Sequence, residues 1–426
     1  MPFLCKFGAI DKERIITYLM KVTKYIVGFF TITKIFLDPK TKGEMFMKVN
    51  PRASTSVGYF LEKEDALEFS GKCAKVCYEK TTIDDIFSET GQTSIARAMG
   101  CVESGHHSIA DHAMYSLSLE GIPKILAMIL NNEKFYATSE KSARYTKMAT
   151  TGREKELYNK WIDIYKGIIL QNHPDYEDLH AEKLAQENAR YLISVFTPAT
   201  DMVHTTSLRQ WNYLMYWAQQ YIEKMEDNGF SGEVNNVLKE FISSMPDIKV
   251  DGLDTFTKSR QFSLFGKRPR EEFFNECYSV NYTSSFAALA QAHRHKPIKY
   301  EFMFMDEPQF FVPYMIRGTE FEAEWLKDIS SLAGNIPQGM LVIVNERGGY
   351  EDFIQKCTER LCGAAQLEIM HYTINTMERY LAATKEKHPA IYEDLICYYV
   401  PKCKQPNGRC TRPCKHGPNN AFTRDV

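Results

Sequence analysis

The segment Gly105–Tyr145 reads GHHSIADHAMYSLSLEGIPKILAMILNNEKFYATSEKSARY, and its reading decides the fold. His106 to His112 crowds polar, titratable groups into one or two helical turns. Tyr115, Leu117 and Leu119 then alternate with Met114, Ser116 and Ser118, the period of two of a half-buried strand. Gly121-Ile122-Pro123 punctuates the chain, with the proline placed to open a helix. Ile122, Leu126, Ile129 and Leu130 predict an apolar stripe along that helix. It runs out at Asn131-Asn132, and a polar loop leads to Ser142-Ala143-Arg144-Tyr145. Polar turn, strand, helix and polar loop in succession describe a site floor on a rigid scaffold.

Outward from this stretch, 426 residues are enough for two or three domains. An apolar content of 44% with 25% charge is that of a soluble globular chain, and a formal net charge of −2 gives no general pull towards nucleic acid. Anionic ligands must therefore be held by local arginines. Eleven scattered cysteines without a compact framework point to reduced thiols and a cytoplasmic setting. Ile15–Phe36 is apolar, but Lys21, Lys24 and Lys34 interrupt it, which makes a poor membrane span. It reads as a peripheral extension, a surface-lying amphipathic helix, or a stretch upstream of a start near Met45 or Met47.

The expected organisation is an extension over 1–50, a first unit over 51–228, a linker or insertion over 229–272, a second unit over 273–400, and a Cys/Pro-rich tail over 401–426. Helices are expected over 64–79, 92–99, 154–170, 180–195, 207–225, 283–293 and 351–382. The 283–293 helix is expected to be capped by Thr283 or Ser284. Tyr300, Phe302 and Phe304 alternate as a strand. Both units hold strand and helix, a polar signature, then a helix pair.

Two second-unit segments stand out: Gln291-Ala292-His293-Arg294-His295-Lys296-Pro297-Ile298-Lys299 and Arg360-Leu361-Cys362-Gly363-Ala364-Ala365-Gln366-Leu367-Glu368-Ile369. With His106, Ser108, Asp111 and His112, and with Ser142-Ala143-Arg144-Tyr145, they resemble the flavin-dependent thymidylate synthase family. Its patterns run H-x-S/T-x-x-E-H, R-H-R-x-x-S, S-x-R-Y and R-x-x-x-x-A-Q-x-E-I. The first unit holds Asn132 to Ala137 where R-H-R-x-x-S belongs. The second supplies R-H-K-x-x-K, in which Lys296 keeps the charge of an arginine but loses its planar fork. Glu187-Asn188-Ala189-Arg190 matches the family's E-x-A-R, and the second unit has Val342 at the matching place.

The resemblance implies an α+β fold of two tandem domains, helices packed on a twisted, mostly antiparallel sheet. It implies dTMP synthesis from dUMP with FAD, methylenetetrahydrofolate and NADPH. It assigns Gln291, Glu140, Ser142, Arg144 and Arg190 to the nucleotide, and His106, Ser108, Asp111, Arg294, His295 and Lys296 to the flavin. Arg360 would polarise the pyrimidine. The losses in the two units are complementary, so the expected site is composite, in a homo-oligomer, with no nucleic acid or membrane partner. Two other readings remain: a degenerate paralogue that binds without turnover, and a metal-dependent hydrolase using His107 and Asp111. Cys403, Cys410 and Cys414 are too irregularly spaced for a zinc site to be expected.

Overall fold

The computed structural model describes residues 47–52, 62–133, 135–143, 146–254, 261–406, 408–410 and 414–426. The apolar run at 15–36 and the Arg144-Tyr145 pair lie outside the described residues. Among the described residues eight strands form two sheets. The first contains β1 (Lys48–Arg52), β2 (Met114–Ile122), β3 (Ala137–Glu140) and β4 (Thr200–Ser207) in the order β1-β2-β4-β3. The second contains β5 (Phe273–Phe274), β6 (Cys277–Ser285), β7 (Lys299–Phe304) and β8 (Leu341–Gly349) in the order β5-β6-β8-β7. All neighbouring pairs are antiparallel. The fold is α+β, and its second sheet repeats the order of the first.

The helices repeat too. α1 (Lys63–Val76), α2 (Ile83–Phe87) and α3 (Gly91–Glu103) precede β2. In the first half α4 (Lys124–Asn132) joins β2 to β3, α5 (Gly152–Asn172) and α6 (Asp178–Ala189) join β3 to β4, and α7 (Leu208–Lys224) and α8 (Gly229–Ser244) follow. In the second, α9 (Phe286–Ala292) joins β6 to β7, α10 (Glu320–Ser330) joins β7 to β8, and α11 (Tyr350–Arg360) and α12 (Leu367–Thr384) follow. Residues 229–244 thus fold as the counterpart of α12, with Val234, Leu238 and Phe241 fully buried.

Helix α4 ties the halves together. The sequence predicts one apolar stripe, but every residue from Ile125 to Asn132 is buried, because the second half covers the face that would meet water. Asn132 donates to Tyr300 O at 2.7 Å and to Ser263 Oγ at 2.8 Å, and its Oδ1 accepts from Tyr300 N at 3.3 Å. These bonds satisfy polar groups that burial would otherwise penalise. Each fully buried large apolar side chain of this helix stabilises by about 1.5–3 kcal/mol.

Three expected helices differ. The one expected over 180–195 stops at Ala189 and a 3-10 turn over Arg190–Leu192, because Ser194 pairs with Pro337 and Val195 N donates to Ile336 O at 3.0 Å. Ile336 holds φ 51°, a costly setting for a β-branched residue, and this crossing fixes it. The helix expected over 283–293 begins at Phe286. Thr283 and Ser284 belong to β6, and the cap is Ser285, whose hydroxyl accepts from Ala288 N at 3.1 Å. The 351–382 helix is two helices, broken over Leu361–Gln366. Val342 lies in β8 opposite Ser284, so it is not the positional counterpart of Arg190. That place falls at the turn Ala333–Asn335 ahead of β8.

Candidate active site at the seam between the halves

The loop after α9 meets the first half at two points. The Arg294 guanidinium donates to Glu140 O at 3.4 Å and lies 3.8 Å from the Glu140 carboxylate, which also takes a bond from Lys124. Glu140 is almost fully buried and Arg294 is 38% exposed, so the carboxylate is fixed while the cation faces the cleft. Beside it, Lys296 Nζ lies 5.3 Å from the Tyr136 ring centroid. That ring stacks on His204 at 5.1 Å, and its hydroxyl donates to His293 O at 3.0 Å. Burial, with Lys296 nearby, holds His204 down to about 3, so its imidazole is neutral. Tyr136 was not legible as a site residue. It stands in the loop where the first half lacks the family's R-H-R-x-x-S.

Arg360 ends α11 and points back at the same loop. Its Nε donates to His295 Nε2 at 2.7 Å and its terminal nitrogen to Gln291 O at 3.3 Å. The break after α11 makes this geometry possible, since a continuing helix would carry the chain away. Burial first, then the Arg360 and Lys356 charges, hold His295 well below its ordinary value. His295 is thus a neutral acceptor whose proton sits on Nδ1. Behind it Lys356 and Glu346 form a fully buried ion pair at 2.5 Å, and Glu346 also accepts from Tyr278 at 2.7 Å and Tyr282 at 2.6 Å. A buried carboxylate with three donors is the arrangement that repays desolvation.

Arg190, from the first half, reaches the second-half motif that follows Arg360. It donates to Gln366 Oε1 at 2.6 Å, and the Gln366 amide donates to the Tyr191 hydroxyl. Tyr191 donates to Glu368 Oε2 at 2.7 Å. Glu368 also accepts from Ser285 Oγ at 2.7 Å and Tyr372 at 2.8 Å. Burial raises its pKa, and these donors oppose the rise. Gln366 and Glu368 lie inside a motif the sequence displays, yet their partnership with Arg190 spans the whole chain.

Other expected residues stand apart. Ser142 is half-buried just beyond β3, and its carbonyl accepts from Thr146 N at 3.1 Å. Arg144 lies outside the described residues. His106, Ser108 and Asp111 are exposed at the far end of the first sheet. There Asp111 accepts from Ser207 at 2.7 Å and Arg209 at 2.7 Å. Glu140 pairs with Met202 and Ser207 closes the same strand, so the two groups are separated by roughly 17 Å at strand rise. The metal alternative finds its residues engaged elsewhere: His107 bonds the Tyr213 hydroxyl at 2.8 Å and Val102 O at 3.2 Å. Among the described residues no group of three or more His, Cys, Asp or Glu is arranged to hold an ion.

Along the seam Arg294 and Lys296 meet Glu140 and Tyr136, Arg360 meets His295 and the Gln291 carbonyl, and Arg190 meets Gln366. Arg190 Nε, Gln291 Oε1, His204 Nδ1 and the Tyr300 hydroxyl are among the buried polar atoms with no hydrogen-bond partner among the described residues. Unpaired buried polar groups are rare and costly, and a polar ligand would satisfy them.

The seam belongs to an α+β protein built from two like sheets. Residues 61–218 match the family described as thymidylate synthase complementing protein. A curated relative, the flavin-dependent thymidylate synthase of Thermococcus onnurineus (strain NA1), is 24% identical over 123 residues, covering 26% of this chain and 48% of the relative. The chain therefore spans about half the length of that relative. Among solved structures, a UMP/dUMP methylase PolB from Streptomyces cacaoi bound with 5-Br dUMP overlaps 50% of this chain and 96% of its own, at 14% identity and a TM-score of 0.32. Thymidylate synthase X from Helicobacter pylori with FAD and dUMP overlaps 48% and 95%, at 15% identity and a TM-score of 0.29.

Proposed function

We propose that the seam is a composite site that methylates dUMP to dTMP, with FAD as cofactor, methylenetetrahydrofolate as carbon donor and NADPH as reductant. The observation that carries this reading is the convergence of the two signature sets. Arg190 of the first half meets Gln366 of the second, and Arg294 of the second meets Glu140 of the first. Arg190, with Ser142 and Arg144, would hold the nucleotide phosphate, each charge-assisted bond contributing roughly 1.5–3 kcal/mol. Gln291 would receive the base at its orphaned Oε1. Arg360, oriented by His295, would polarise the pyrimidine carbonyl where negative charge develops.

The exposed cations Arg294 and Lys296 suit a flavin diphosphate, and the flavin when bound would supply the hydride chemistry. His295 then acts through Arg360, since its Nε2 is occupied. His106, Ser108 and Asp111 would serve the seam of a second copy, which makes the working form a homo-oligomer. No described helix is long and apolar enough to cross a membrane, and a cytoplasmic location is part of this proposal.

The test is turnover. Purified protein given FAD, dUMP, methylenetetrahydrofolate and NADPH should form dTMP, and Arg190→Ala should abolish saturable dUMP binding. Protein that binds neither flavin nor dUMP would refute the reading. The degenerate-paralogue alternative draws on one observation: Arg190, Arg294 and Lys296 already have protein partners in Gln366, Glu140 and Tyr136. It predicts dUMP binding with no dTMP at any flavin concentration.

A further inference from the structure

A cavity of about 500 Å³ opens where the end of α7, the start of α8 and the segment 261–267 face β7. It abuts Phe302 to Phe304, whereas the Arg294–Lys296 loop enters β7 at Lys299, roughly 10–17 Å away at strand rise. It is therefore separate from the seam. Its size falls in the range of small-molecule sites.

The wall is preformed. Gly266 N donates to Phe302 O at 2.9 Å, and Phe302 N donates to Leu264 O at 2.9 Å. A Cβ on Gly266 would come within 2.8 Å of Met303 Cγ and 2.9 Å of Phe302 O, so only glycine lets this segment lie flat against the strand. Phe230 meets Phe265, Phe302 and Phe304 edge to face, at 6.2, 6.0 and 4.9 Å. Rings locked in this way present aromatic surface at little entropic cost. Phe304 remains 41% exposed, a large apolar side chain left uncovered in a concavity.

The polar part has one sign. Lys224, in the last turn of α7, and Lys267, beyond the bridge to β7, both line the cavity. Neither has an ion-pair partner among the described residues, and no acidic side chain lines the cavity among them. Aromatic walls crowned by two unpaired ammonium groups are complementary to a flat ring system bearing an anionic group.

We propose that this cavity is a binding site for a planar aromatic acid, its rings against Phe265 and Phe304 and its carboxylate between Lys224 and Lys267. The proposal does not depend on the chemistry of the seam. The test is calorimetry on the full chain with 2-naphthoate and its neutral analogue 2-naphthamide. Saturable naphthoate binding is expected, weakened about tenfold or more in the amide and in the Lys224→Glu/Lys267→Glu variant. Ser231→Trp, which fills the cavity, should abolish binding while leaving the thermal midpoint in place. Absence of saturable naphthoate binding would overturn the proposal, as would equal affinity for the amide. Displacement of naphthoate by dUMP would place it at the seam and likewise defeat the idea. Should Ser231→Trp unfold the chain, Phe304→Ala replaces it, and undiminished binding there counts against the site.

Discussion

His295 shows what a motif can and cannot convey. The residue is visible in the sequence as part of R-H-K, but its bond to Arg360, 65 residues away, is not. Lysine at 360 would replace the two separate nitrogens that reach His295 and Gln291 O with a single ammonium, losing the planar fork. Arg360→Lys is therefore expected to lower kcat/KM for dUMP about a hundredfold, with dUMP affinity much less affected, read by steady-state kinetics beside a binding titration. Gln291, Arg294 and Arg360 stand out in the sequence because a local pattern carries them. Tyr136, Lys356 and Glu346 do not, because a buried polar pair leaves no periodic mark on either partner. That pair has its own test. Lys356→Met leaves the Glu346 charge buried with only hydroxyl donors and should cost about 3–5 kcal/mol in urea unfolding. Lys356→Met/Glu346→Gln should be less damaging than the single change. If the single change costs nothing, the pair does not carry the charge assigned to it.

At the scale of elements, the sequence disclosed β2 and β7 and concealed β4 and β8. β2 and β7 were readable because tyrosine, leucine and phenylalanine alternate with polar residues along them. β4 and β8 lie in the middle of their sheets, yet they bury His204 and Thr206 in one case and Asn345 and Glu346 in the other. Polar residues turned inward erase the contrast on which alternation depends. The same effect misplaced the start of α9, since Thr283, Ser284 and Ser285 are equally good caps by composition and only β6 pairing selects the third. Ser285 spends its hydroxyl twice, accepting from Ala288 N and donating to Glu368. Ser285→Ala is therefore expected to destabilise by about 1–3 kcal/mol, above a cap alone, because Glu368 loses a donor while buried. A loss no larger than that of an isolated cap in urea titrations would show that Glu368 does not depend on it.

For the whole molecule, the seam makes stability depend on pH in a definite direction. His204 and His293 are buried on its two sides, and burial holds both at about 3 against an ordinary 6.5. His295 is displaced the same way. All three stay neutral in the folded chain, whereas the unfolded chain takes up protons as pH falls below 6.5. The stability they contribute is thus complete above that value and is lost as the solution becomes acidic. Each group contributes a slope of up to about 1.4 kcal/mol per pH unit. Glu154 and Glu368 work in the opposite sense, since burial raises their pKa and the folded chain gains relative stability as they become protonated. Three groups losing stability from 6.5 downward outweigh two carboxylates at the upper end of that window. Urea midpoints should therefore fall between about pH 7 and pH 5, and the fall should be shallower in His204→Gln and His293→Gln. Because these histidines flank the Tyr136 latch and the Arg294 loop, acid should also separate the halves before either sheet is lost. Limited proteolysis over that range would detect it as early cutting near Lys296, and uniform cutting across both sheets would contradict it.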